Sequence, residues 1–215
     1  MSGAKRNDKG TDGPLDFTAY LRRRAEPSDV DVSIGVDRAL RHAQQGESLR
    51  EAADQEEVRF ALHAIEAALF AIDDIRELLE EACEVTLSAR ESSDEAARAL
   101  FAERYDEVRL AIDPIANEAE YEGASLLSKK ARALDIELGP KAHFSVSAYR
   151  LDIGEKGLDL PPPRDAFETA EEIEMALEKL DRALQRVDRA AESYCRDAQY
   201  LSGRLELQTQ YATHA

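Results

Sequence analysis

Over much of this chain apolar residues return at alternating steps of three and four, the spacing that gathers them on one face of an α-helix. Between about Ser48 and Ala89 the seam is Val58, Leu62, Ile65, Leu69 and Ile72, widened by Ala61, Ala68, Ile75, Leu79 and Ala82. Between about Ser93 and Ala119 it is Ala97, Phe101, Tyr105, Val108, Ile112 and Ile115, with Pro114 expected to kink or end the helix because it lacks a backbone donor. The longest seam lies between about Asp165 and Leu207: Ile173, Leu177, Leu180, Leu184, Val187, Ala191, Tyr194, Ala198, Leu201 and Leu205. A seam of that length belongs to an antiparallel bundle or coiled coil, in which burial offsets the chain entropy that melts an isolated helix.

Each helix is preceded by a hydroxyl residue with glutamate three positions on: Ser48 and Glu51, Ser92 and Glu95, Thr169 and Glu172. In that pattern the two side chains satisfy backbone N–H groups left without partners at a helix start. Between the second and third helices the period drops to two. Leu134, Ile136 and Leu138 alternate with polar or small residues, Gly139 and Pro140 mark a turn, and Phe144, Val146 and Ala148 alternate again. This predicts a β-hairpin at about 133–153, with Leu151 and Ile153 offering a third short strand. Gly154, Gly157 and Pro161 to Pro163 return the chain to the last helix. The expected fold class is mainly α: an elongated antiparallel bundle of three long helices with a β-hairpin inserted between the second and third.

Residues 1–47 do not share this order. Met1 to Gly13 is rich in Gly, Lys and Asp and is expected to be disordered. Leu15 to Glu26 can form a short amphipathic helix, Val36 to Ala43 a second, and Pro27 separates them. The expected organisation is a charged N-terminal segment 1–47, a helical body 48–207 and a short tail 208–215.

Charge narrows the choice of partner. Residues 1–46 hold eight Lys and Arg against seven acids, so of the net charge of −17 the remainder of the chain carries −18. A surface that acidic repels nucleic-acid backbones and anionic membranes. The most apolar stretch, Phe60 to Ile75, is interrupted by His63, Glu66, Asp73 and Asp74, and falls short of the roughly 20 apolar residues that span a bilayer. Met1 to Gly13 lacks the apolar core of a cleavable secretory signal. Cys83 and Cys195 have no metal-ligand spacing, and His42, His63, His143 and His214 are scattered. With no phosphate loop, nucleophile elbow or Cys/His pairing, the expectations are no catalytic residue, no cofactor and no metal.

Several local motifs follow one another in a distinctive order. Ile72 to Ala82 (IDDIRELLEEA) is similar to a signature of the first long helix of bacterial flagellin, matched directly at Arg76, Glu77 and Leu78. The second helix closes with Ile112, Asp113 and Ile115, then Tyr121, Gly123, Leu126 and Leu127, which resembles that family's Ile-Asp-x-Ile run and its Phe-Asn-Gly-x-x-Leu-Leu. A hairpin and an Ala-rich helix follow in the same order, so the resemblance to flagellin covers roughly residues 50–207. The family's Ser/Asn-rich first helix and apolar last helix, which drive polymerisation, have no visible counterpart. The resemblance implies a structural or accessory protein of the bacterial flagellum, exported without a cleaved signal, acting on flagellar subunits, an export chaperone or a regulator. The alternative is a cytoplasmic adaptor that keeps the same helices as a recognition surface. In either case the expected contact residues are the seam positions Ile65, Leu69, Ile72, Leu177, Leu180, Leu184 and Val187, with Phe17, Tyr20, Leu21, Arg22, Arg23 and Arg24 as a second docking element.

Overall fold

A computed structural model describes the backbone of residues 32–139 and 142–214 and the side chains of residues 52–139 and 142–207. The chain divides into two units, Met1–Glu47 and Ser48–Ala215, and the second holds the helical body. The segments expected at Met1 to Gly13 and Leu15 to Glu26 lie outside the described residues.

Helix α1 spans Val32–Glu91. It therefore does not start at Ser48, and the short piece expected at Val36 to Ala43 is part of it. Residues 38–45 are all compatible with a helix, and the one glycine that follows, Gly46, costs only about 1 kcal/mol relative to alanine. A helix this long runs through such an obstacle, leaving Ser48 and Glu51 in mid-helix.

Helix α2 spans Glu95–Glu118, and its cap is Asp94 rather than Ser92: Asp94 is extended (φ −89°, ψ 119°) and its Oδ1 accepts the Ala96 N–H at 3.2 Å. The Ser92 N–H still reaches back to the carbonyls of Ser88 and Ala89, so Ser92 closes α1 while the next acceptor opens α2. Pro114 neither ends α2 nor lies in the core. It and Leu110, whose carbonyl loses its helical partner, both sit on the exposed face, and the helix makes one further turn.

Helix α3 spans Ala170–His214, beginning just after Thr169, whose Oγ1 accepts the Glu172 N–H at 3.3 Å. Nothing in residues 208–214 breaks a helix, so the expected tail continues α3 to His214.

The three helices meet through their seams. Ile65, Ile72, Ile75 and Leu79 of α1, Tyr105 and Ile112 of α2, and Leu180, Val187 and Tyr194 of α3 are all at most 1% exposed. Fully burying one such side chain stabilises by about 1.5–3 kcal/mol, which is how this core outweighs the entropy of ordering three helices. Arg76 pairs with Asp188 at 2.5 Å and Arg90 with Glu174 at 3.6 Å, so numbers rise along α1 as they fall along α3 and the two helices are antiparallel. On the other side, Arg104 of α2 bonds Glu81 of α1. Thr86, whose hydroxyl is buried in the α1 seam, donates to the Ala82 carbonyl at 2.7 Å, so this hydroxyl is paired.

Two antiparallel hairpins connect α2 to α3. Strands β1 (Glu120–Tyr121) and β2 (Ala124–Ser125) are joined through Glu122 (φ 46°) and Gly123 (φ 85°). Two central residues with positive φ make the primed turn whose twist suits a tight hairpin, and glycine is the residue that adopts it without strain. Strands β3 (Leu134–Glu137) and β4 (His143–Val146) pair Leu134 with Val146 and Ile136 with Phe144, placing these apolar residues on one face. The expected third strand is not regular structure. Instead Tyr149 and Leu151 donate their N–H groups to the carbonyls of Leu126 and Leu127, both at 2.9 Å.

Residues 147–169 then cross back to α3 as a strap. Asp152, fully buried, accepts from the Arg150 guanidinium and from the Gly154 N–H, while its carbonyl accepts the Leu158 N–H at 2.7 Å. A Cβ on Gly157 would lie 1.9 Å from the Asp152 carbonyl oxygen, so only glycine fits where the strap folds over itself. After Pro161 to Pro163, the residues Asp165 (φ 40°), Ala166 (φ 53°, ψ 36°) and Phe167 (φ 59°) form one left-handed turn. Each non-glycine residue in that region costs roughly 1–2 kcal/mol, and the ring of Phe167 is buried there, 1% exposed.

Candidate interaction surface

The seven seam residues expected to meet partner chains are used inside the chain. Ile65, Ile72, Leu180 and Val187 are between 0% and 1% exposed, and Leu69, Leu177 and Leu184 are half-buried against the same core. The alternation that identifies a seam does not say which helix fills it, and here the neighbouring helices of the same molecule do. Phe17, Tyr20, Leu21 and Arg22 to Arg24 lie outside the described residues.

What this body presents to solvent is the opposite side of each helix. On α1 the outward positions are Glu66, Phe70, Asp73, Glu77, Glu80, Glu84, Leu87 and Glu91, all exposed, with Phe70 67% exposed. None of Asp73, Glu77, Glu80, Glu84 and Glu91 has an ion-pair partner among the described residues. On α2, Leu100 (66%) and Leu110 (51%) share the outward side with Glu103 and Glu107. On α3, Arg182, Arg189 and Arg196 recur every seven residues on the exposed side, and Arg189 and Arg196 flank a shallow hollow with Tyr149 and Arg186. This is a surface of charged helix faces with single apolar residues set into them.

Residues between the helices fix how these faces are held. Asp113, in the Ile-Asp-x-Ile run, accepts the Ile153 N–H at 2.8 Å through one oxygen and Lys129 at 3.0 Å through the other. Arg76 of the first motif makes the tie to Asp188 on α3. Tyr121 packs on Phe60 and His63, with ring centroids at 5.7 and 5.1 Å, and the Glu137 N–H donates to Glu57 at 2.9 Å, so both hairpins rest on α1 within two turns of each other. Phe144 stacks on Tyr200 at 4.8 Å, and Arg204 donates to the Leu138 carbonyl at 3.1 Å, which ties the larger hairpin to α3 as well.

Two buried tyrosines secure the interior. Tyr105 donates to the Pro161 carbonyl at 3.3 Å and Tyr194 to the Leu126 carbonyl at 3.2 Å. Burial pushes the Tyr105 phenol up to about 12 despite nearby Arg109, and burial raises Tyr194 as well. The Cys83 thiol is raised by burial and by Asp181 and Glu80, the reverse of what activates a thiolate. Among the described residues, no group of three or more His, Cys, Asp and Glu is placed to hold a metal ion, and no helix is long and apolar enough to cross a membrane.

Set against solved structures, this arrangement of antiparallel α1 and α3, a shorter α2 and a hairpin between α2 and α3 is similar to Bacillus cereus flagellin, with a TM-score of 0.62 at 18% identity over 75% of this chain and 95% of that one. The fold is that of flagellin. A flagellar hook-associated protein from Vibrio parahaemolyticus superposes with a TM-score of 0.67 at 15% identity, covering 87% of this chain and 95% of its own. No family model matches the chain, and no curated protein matches it in sequence. In this chain the fold rests on its seams and on backbone ties such as those of Asp113, which few residues specify. The smaller hairpin and the strap belong to the same body but leave little trace in the periodicity. Glu122-Gly123 is the available signal for the hairpin, and the strap has none beyond its glycines and prolines.

Proposed function

We propose that this protein is a structural or accessory component of the bacterial flagellum that acts through helix-to-helix contacts with other protein chains and has no catalytic role. The observation that carries the reading is the flagellin fold, shared over 95% of the length of both a flagellin and a flagellar hook-associated protein. In this reading the contacts run through the outward sides of the helices, with Phe70, Leu100 and Leu110 as anchors, because the seams are occupied by the molecule's own core. Residues 1–47, with Phe17, Tyr20, Leu21 and Arg22 to Arg24, supply a second docking element in addition to the helical body 48–207. Partners are flagellar subunits, an export chaperone or a regulator, and the place of action is the flagellum.

The deciding measurement is fractionation of the source cells into sheared filaments, membranes and cytosol, followed by detection of this chain. Recovery with filaments is expected. Exclusive retention in the cytosol, together with capture of a non-flagellar protein through Leu15 to Glu26, overturns the structural reading in favour of a cytoplasmic adaptor built on the same fold.

A further inference from the structure

The start of α3 is where local sequence and observed backbone disagree most sharply. Residues 165–169 read Asp-Ala-Phe-Glu-Thr, and Asp165 with Glu168 forms a helix-start pattern one turn ahead of Thr169 with Glu172. Alanine, phenylalanine and glutamate are all acceptable within a helix, so these residues can extend α3 by a turn from an Asp165 cap. The structure uses the second start and folds the first into the left-handed turn at Asp165, Ala166 and Phe167. Two groups hold that choice. Phe167 is 1% exposed with its ring 5.4 Å from that of Tyr105, and the turn is closed by the Phe167 N–H on the Arg164 carbonyl at 3.1 Å and the Glu168 N–H on the Asp165 carbonyl at 3.0 Å.

Next to the turn lies a cleft of 540 Å³ lined by Tyr105, Pro161, Phe167, Glu172, Met175 and Lys179, among other residues. Glu172 Oε2, which would reach back to the cap backbone in a complete helix-start pattern, has no hydrogen-bond partner in this arrangement. A strained turn of non-glycine residues, a single aromatic anchor and a competing helical start together describe an element with two positions.

We propose that Asp165 to Phe167 is a latch. In the closed position Phe167 is seated against Tyr105 and α3 starts at Ala170. In the open position Asp165 caps a lengthened α3, Phe167 leaves its seat, and the cleft deepens by the volume of that ring. The latch depends on the fold alone and stands whether or not the protein joins a filament.

Two substitutions at one position separate the states in the full chain. Glycine at 166 accepts a positive φ without strain and weakens the helical alternative, whereas proline there forbids a positive φ and suits the first turn of the lengthened helix. Amide hydrogen exchange and backbone chemical shifts are the readouts. Ala166→Gly is expected to slow exchange at Phe167 and Glu168 about tenfold. Ala166→Pro is expected to give helical shifts at residues 167–169 and to lose the contact between the Phe167 and Tyr105 rings, with Ile72 and Leu180 still protected. Unchanged or faster exchange in Ala166→Gly overturns the latch, because the left-handed turn would then not be the occupied state. Loss of protection at Ile72 and Leu180 in Ala166→Pro also overturns it, because the turn would then be an ordinary structural requirement with no open position.

Discussion

The seam between α1 and α3 and the strap at 147–169 are held by different physics. The seam is a repeat: Ile65, Ile72 and Leu79 on one helix and Leu180, Val187 and Tyr194 on the other are interchangeable in kind, and each contributes through buried area. The strap is a set of single, directional contacts. Asp152 serves Arg150 and Gly154, Asp113 serves Ile153, Arg109 reaches the Leu160 carbonyl at 3.3 Å and Tyr105 reaches Pro161. A repeat tolerates drift in sequence because many residues share one task. A set of single contacts does not, because each is made by a particular pair of residues.

That contrast can be broken first at the seam. Leu180→Ala removes a fully buried side chain, and by comparison with other leucine truncations costs about 2–5 kcal/mol. Chemical denaturation should show this as a lower midpoint with a single transition, since the seam belongs to the whole body. A change confined to the hairpins would mean that the seam is not the common core. In the strap, Gly157→Ala forces a methyl group into the Asp152 carbonyl and is expected to cost roughly 1–3 kcal/mol by overpacking. Here hydrogen exchange should accelerate at Leu158 and Leu160 well before it does at Ile72. Equal acceleration at both would show that strap and seam unfold together.

A third test titrates both regions at once. Tyr105 in its buried seat loses its proton at about 12, against an ordinary value near 10, so the folded state keeps the proton longer than the unfolded state does. The associated stability is complete below pH 10 and is lost as pH rises from about 10 to 12, by roughly 2–3 kcal/mol for this residue. Tyr194, raised by burial at the seam, adds to the same trend. A denaturation midpoint that stays level from pH 9 to 11 would mean that the two phenols are hydrated. In Tyr105→Phe the fall should be shallower, leaving the share owed to Tyr194.

The same contrast explains what can be read from the residues alone. The three seams, the alternation of the hairpin strands around Gly139 and Pro140, and the flagellin resemblance at Arg76 and Asp113 are legible because periodicity and short motifs carry them. Helix ends are less so. Gly46 is a weaker obstacle to a 60-residue helix than its sequence neighbourhood suggests, and the hydroxyl of Ser92 has the pattern of a cap while the carboxylate of Asp94, two residues on, does the capping. Seam residues look available to partners because an apolar stripe records only that something covers it. The left-handed turn at 165–167 has no signal at all, since its own residues favour the helix they do not form. Such an override becomes visible only once Tyr105, distant along the chain, is seen beside Phe167.

One consequence follows from the antiparallel course of α1 and α3. Glu57 and Arg204 bond to the neighbouring residues Glu137 and Leu138, so the chain enters this body on α1 and leaves it on α3 at the same end, beside the larger hairpin. Tension applied through the two flanking stretches of chain would therefore peel α1 from α3 one contact at a time, beginning at the hairpin, and would not slide the helices past one another. Arg90 with Glu174 and the left-handed turn stand at the far end, the last to feel such a load. Mechanically the body is a zipper with its pull-tab at the hairpin, and the end that carries Phe167 stays closed until the rest has opened.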